Sequence, residues 1–202
     1  MGLKIGLTGG IGSGKSTVAA RLVARGAVLV DTDAISRALT AVGGAALPAL
    51  AAAFGAAAIG ADGALDRDHM RQLVFADPAA RHRLEGILHP MIGAETLRQA
   101  AAAGEHTVVF DVPLLAESGH WRGRVDKVLV VDCSEATQLA RVMRRSGWAR
   151  DTVERVIAQQ ATRAARRAIA DAVLHNEGLT LEQLDTQVHR LWHCWHADPV
   201  KQ

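Results

Sequence analysis

Eight residues near the start of the chain, Gly9-Gly10-Ile11-Gly12-Ser13-Gly14-Lys15-Ser16, fit the pattern G-x-x-x-x-G-K-[ST] without adjustment. A loop of this kind works where a strand delivers it and a helix leaves it, so it constrains the fold more than any other stretch. Both flanks comply: residues 3–7 form an apolar run of strand character, and residues 17–23 have helical spacing. Glycines let successive backbone N–H groups converge on one anion, because no Cβ blocks a close approach. A helix starting near Lys15 adds its positive end to the same spot. Lys15 then reaches the β- and γ-phosphates, and the Ser16 hydroxyl is placed to ligate Mg²⁺. An ordinary glycine turn explains the glycines but not the Lys-Ser ending between a strand and a helix. Residues Gly10, Ile11, Gly12, Ser13, Gly14, Lys15, Ser16 and Thr17 are therefore expected to hold a nucleoside triphosphate.

Further strands are expected at residues 27–30, 107–110, 125–131 and 172–174, all apolar without alternation, as in strands covered on both faces. With the first strand they predict an α/β fold of the P-loop NTPase type, a parallel five-stranded sheet flanked by helices. Between residues 34 and 105 no strand is expected. Helical spacing there predicts helices over 45–54, 67–75, 78–88 and 90–103, read as a helical substrate-covering insertion. A single domain is expected, with a nucleotide-binding core (1–33, 105–140, 168–202), the insertion (34–104) and a lid (141–167). A last helix is expected over 181–195.

The lid reading rests on charge. Residues 141–167 hold eight arginines against Asp151 and Glu154, a surplus of six positive charges in a chain whose formal net charge is +2. Trp148 is the one aromatic residue there, so the interleaved aromatics of a single-strand nucleic-acid surface are missing. Beside a phosphate loop, such a segment reads as a mobile arginine-bearing lid hinged at Ser146-Gly147, closing on the transferring phosphoryl group. Counting does not say which arginines reach phosphate.

Three acidic positions end strands, where open parallel sheets bind ligands. Asp111 is expected to assist Mg²⁺. Asp31 and Asp33 are each suited to take a proton from an acceptor hydroxyl or to cap the helix beginning near Ala34, and spacing leaves the choice open. His189, His193, Cys194 and His196 include a zinc-like i, i+4 pair, but Leu191, Trp192 and Trp195 favour a packed helix end. Two cysteines, Cys133 and Cys194, are too few for a disulfide framework. No apolar run approaches the roughly 20 residues that span a bilayer, and no leader is read at the N-terminus. A cytoplasmic monomer without membrane or nucleic-acid partner is expected.

The motifs together resemble the dephospho-coenzyme A kinase family. The resemblance is carried by residues 5–17, Asp31-Thr32-Asp33 with Arg37, residues 84–90 ending in His89-Pro90, and Asp111-Val112-Pro113-Leu114-Leu115 with Glu117. Gln138 to Arg141, Gln160, and Ala170-Asp171 through Asn176 also resemble that family's lid and adenine-side elements. It implies ATP-dependent, Mg²⁺-assisted phosphorylation of the ribose 3′-hydroxyl of dephospho-coenzyme A, the last step of coenzyme A synthesis. It favours Asp33 as the base, with Lys15, Arg141 and Arg145 neutralising phosphoryl charge and Asn176 on the nucleotide side. Arg37, Arg67, His89 and the turn Asp111, Pro113, Leu114, Leu115, Glu117 are implied to shape the acceptor site. The alternative activity is a kinase of this architecture acting on another hydroxyl or a nucleoside monophosphate. A nucleotide switch is disfavoured, since no Asn-Lys-x-Asp guanine motif is present.

Overall fold

The computed structural model of the 202-residue chain describes residues 2–118 and 121–197. It forms two compact units, one made of Met1–Val30 with Ala103–Gln202 and the other of Asp31–Ala102. The strands are β1 (Lys4–Gly9), β2 (Val28–Asp31), β3 (Val108–Asp111), β4 (Lys127–Asp132) and β5 (Ala172–His175). The helices are α1 (Lys15–Val23), α2 (Thr32–Leu39), α3 (Leu47–Phe54), α4 (Arg67–Ala76), α5 (Pro78–Ala102), α6 (Leu115–Ser118), α7 (Glu135–Ser146), α8 (Arg150–Gln159), α9 (Arg163–Ala168) and α10 (Leu181–His196).

In the first unit the strands form one parallel sheet in the order β2-β3-β1-β4-β5. β1 lies between β3 and β4, so the loop at its carboxyl end emerges from the middle of the sheet. Its register sets Leu7 opposite Asp111, which brings that carboxylate to the loop's flank. Ile5, Leu7, Val109, Leu129, Val131 and Leu174 point into a core shared with Val18 and Leu22 of α1 and Leu184 and Val188 of α10. These side chains are nearly all below 2% exposed, and each contributes about 1.5–3 kcal/mol by leaving water. α10 starts with a complete capping box, Thr180 with Gln183, and Leu191, Trp192 and Trp195 pack against the same core.

The second unit is helical, as its spacing predicts, apart from a single antiparallel bridge between Ile59 and Leu65 around the turn at Asp62-Gly63. α2, α3 and α4 pack on α5, burying Ile35, Leu50 and Met70. The expected break before Pro90 is absent: α5 is one helix of 25 residues with Pro90 inside it. Proline removes one N–H and crowds the carbonyl four residues back. That carbonyl belongs to Gly86, an exposed residue without a side chain, which leaves the backbone room to yield.

Candidate active site

The loop after β1 is shaped by two glycines in the left-handed region, Gly12 (φ 73°) and Gly14 (φ 97°). Its own turn is closed by the Ser13 N–H donating to the Gly10 carbonyl at 3.0 Å. From behind, the Asn176 side-chain amide donates to the Ser13 carbonyl at 2.8 Å, and Arg141 Nη1 reaches the same oxygen at 3.2 Å. Arg141 Nη2 also donates to the Asn176 carbonyl at 3.0 Å, so the two residues brace one another. In a trans peptide the N–H opposes the C=O, so anchoring the Ser13 carbonyl turns the Gly14 N–H to the other side. The N–H groups of Lys15 and Ser16 at the start of α1 lack intrahelical partners by geometry, while that of Thr17 donates to the Gly14 carbonyl at 3.0 Å. A Cβ on Gly14 would sit 2.3 Å from Asn176 Nδ2. Gly14→Ala therefore strains φ and expels the brace, at a cost of about 1–2 kcal/mol from φ alone. A urea melt is expected to show that loss, together with an ATP-induced stabilisation much smaller than in the parent protein.

Lys15, at the head of α1, forms an ion pair with Asp111 at the end of β3, both largely shielded from water. Ser16 follows on the exposed first turn. Hydroxyl and carboxylate oxygens are the hard donors that Mg²⁺ takes, so Ser16 and Asp111 fit that ion chemically. The turn after Asp111 is fixed rather than free. Thr8 Oγ1 donates to the Pro113 carbonyl at 3.1 Å, Leu115 is buried, and Leu114 is left half exposed. Glu117 accepts the Ala161 N–H at 2.7 Å and so ties this turn to the connection between α8 and α9.

The arginines of residues 141–167 divide by position. α7 is one helix across residue 141, capped by Ser134 and ended by Gly147 in the left-handed conformation. Its start is held by Glu177, which accepts from Ser134 and Thr137; these bonds hold the Glu177 carboxyl below its ordinary value. Arg141 sits on the loop, whereas Arg145 is exposed and reaches only Ser146 at 3.4 Å among the described residues. Arg163 makes a bidentate pair with the buried Asp132 at 2.8 and 2.9 Å, with Arg167 3.9 Å away. Burial pushes the Asp132 carboxyl up, but the Arg163 bonds and the charges of Arg167 and His175 more than offset this and hold it down. Arg166 is buried, and Gln160 Oε1 accepts the Ile11 N–H of the loop at 2.9 Å. No sequence signal separates Arg166 from its seven neighbours, because burial is a tertiary property.

In the second unit, Asp31 caps α2, its carboxylate accepting the Ala34 N–H at 2.8 Å, and Arg37 lies 3.6 Å from its other oxygen. The helix begins at Thr32, slightly ahead of the expected Ala34, which leaves Asp33 exposed in its first turn. Arg67 donates to Thr40 Oγ1 at 3.0 Å at the start of α4. His89 is exposed on α5. At the C-terminal end of the first unit, His196 stacks on Trp192, with ring centroids 4.0 Å apart, and shares a 2.7 Å hydrogen bond with Thr107. His189 and His193 meet edge to face, and among the described residues no group of His, Cys, Asp and Glu is arranged to hold a metal ion.

A parallel sheet with a glycine loop between its central strand and first helix, and a lysine from that loop on the neighbouring strand's carboxylate, defines a P-loop kinase fold. The family model described as dephospho-CoA kinase matches residues 3–182. A curated dephospho-CoA kinase from Burkholderia lata is 58% identical over 187 residues, 93% of each chain. A crystal structure from Thermus thermophilus superposes with a TM-score of 0.82 at 35% identity, covering 95% of this chain and 96% of that one. A dephospho-CoA kinase structure from Campylobacter jejuni shares the fold, with a TM-score of 0.66 at 22% identity over 94% of this chain and 96% of that one. The chain belongs to the dephospho-CoA kinase family.

Proposed function

We propose that this protein transfers the γ-phosphoryl group of ATP to the ribose 3′-hydroxyl of dephospho-coenzyme A, yielding coenzyme A and ADP, the last step of coenzyme A biosynthesis. What carries the reading is the braced phosphate loop, with its Lys15–Asp111 pair, in a chain of this family. In the reaction the bond from the γ-phosphorus to the bridging oxygen of ADP breaks as the 3′-oxygen bonds to that phosphorus. The hydroxyl proton passes to Asp33, whose carboxylate is exposed while that of Asp31 is spent on the cap. The loop from Gly10 to Thr17 binds the polyphosphate through the N–H groups not taken by Gly10, Gly14 and Gln160. Lys15 neutralises charge at its β/γ end, and Arg141 adds a cation while fixing the loop. Asn176 serves through the Ser13 carbonyl. Arg145, exposed on α7, is assigned to the phosphoryl group as the segment of residues 141–167 closes. Ser16 and Asp111 would hold Mg²⁺, which when bound supplies charge neutralisation across the β- and γ-phosphates.

Arg37, Arg67 and His89 on the helical unit, with Pro113 and Leu114, are assigned to the acceptor. Leu115 and Glu117 shape the turn that presents those two residues, one from the core and the other through Ala161. We place the enzyme in the cytoplasm as a monomer acting on a small molecule, without nucleic-acid or membrane partner. Two free cysteines, one of them buried, support a reducing compartment, and no helix among the described residues is long and apolar enough to cross a membrane. The test is ADP release from Mg²⁺-ATP with dephospho-coenzyme A, adenosine, AMP, shikimate or gluconate as acceptor. Turnover is expected with dephospho-coenzyme A alone. Turnover confined to another acceptor overturns the substrate while keeping the loop.

A further inference from the structure

Arg166 is only 4% exposed, yet among the described residues its guanidinium pairs with no carboxylate and donates to the Ala161 carbonyl. The neighbouring Arg163 and Arg167 differ, since both face Asp132. A cation withdrawn from water without a counter-charge is costly, so the fold needs a reason to keep it there. Its surroundings supply one. A Cβ on Gly10 would lie 2.9 Å from Arg166 Nη2, and as close to the side-chain amide of Gln138. Gly10 is not in a left-handed conformation, so it is this close approach that calls for glycine there. Gln138 is fully buried, and its Oε1 has no hydrogen-bond partner among the described residues. The next loop residue, Ile11, is tied by its N–H to Gln160, at the start of the same connection that leads into α9. The guanidinium thus lies against the loop at Gly10, and the connection that carries it is tied to the next loop residue.

We propose that Arg166 is the built-in counter-ion of the bound polyphosphate, a binding residue delivered to the phosphate loop by α9 at Gly10. This rests on the nucleotide reading of the loop and adds to it a residue that no motif marks. The missing counter-charge of the arginine is then the nucleotide's own, felt at close range where little water screens it. Fixed guanidinium groups of this kind act on phosphate through charge and hydrogen-bond geometry together.

The test compares the parent protein with R166M, which keeps the bulk, and R166K, which keeps the charge. Thermal melting is followed alone, with ATP, and with inorganic tripolyphosphate. R166M is expected to melt no lower than the parent when alone, because it removes an uncompensated buried cation. Its affinity for ATP and for tripolyphosphate is expected to fall at least about 10-fold, and kcat about 10²-fold. R166K is expected to recover part of each loss. The proposal is overturned if R166M fails to fold, if it melts lower while keeping its ATP affinity, or if R166K loses as much as R166M. Absence of any ATP-induced shift in the parent protein overturns the nucleotide reading and this inference with it. A shift kept in full by R166M overturns this inference alone.

Discussion

Lys15→Ala is expected to abolish measurable phosphoryl transfer, with kcat down by at least about 10³-fold, while the protein still folds. The argument is electrostatic. Lys15 is mostly shielded from solvent and meets Asp111 at the carboxyl end of the sheet, where the triphosphate's charge has to be neutralised. Removing the ammonium takes a shielded positive charge away from the place proposed for the polyphosphate, so the loss is one of attraction at close range. Lys15→Arg keeps the charge but not the reach of a compact ammonium, and is expected to recover only part of the activity. A coupled ADP-release assay alongside a melting curve separates the cases. Near-parent turnover of the alanine variant in a folded protein rejects the role given to the loop.

Asp33→Asn is expected to leave ATP binding largely intact and to lower kcat by about 10²–10⁴-fold, the range of a lost general base. The asparagine is isosteric, so helix α2 keeps its shape, and its cap belongs to Asp31 in any case. Asp31→Asn is the matched control. Asparagine caps nearly as well as aspartate, so the expected change is a few tenths of a kcal/mol in stability, with little change in kcat. Single-turnover rates at saturating ATP measure the chemical step directly. A crippled Asp31→Asn beside a healthy Asp33→Asn reverses the assignment.

The choice between those two aspartates shows where sequence reading stops. Both sit at the end of an apolar run, and either is able to cap a helix from its position. Which of them does so depends on where β2 ends and α2 begins, a boundary displaced by two residues from the one the spacing predicts. The phosphate loop was legible because its chemistry is local: glycines, lysine and hydroxyl do their work within eight consecutive residues. The three inner strands were legible because burial on both faces removes alternation, whereas the edge strands β2 and β5 are only partly buried and showed simply as short apolar runs. Pro90 misled for a physical reason: the carbonyl its ring crowds belongs to Gly86, exposed and without a side chain, where the backbone has room to shift and the helix continues. Arg166 was invisible among eight arginines because charge composition says nothing about depth.

The ties on the α8–α9 connection have a mechanical consequence. Ile11 holds Gln160, Glu117 holds Ala161, and Asp132 holds Arg163, so three successive stretches of the sheet's carboxyl edge grip one short turn. The segment of residues 141–167 is held at its other end by Arg141 on the phosphate loop, so in the proposed closure displacement would be smallest at these two anchors and largest at the tip around Gly147 and Trp148. In that proposed closure, arginines near the anchors would stay in place as part of the electrostatic floor of the site, while those toward the tip would travel. On that proposal the arginine-rich stretch is two devices in one sequence, a fixed electrode and a moving one.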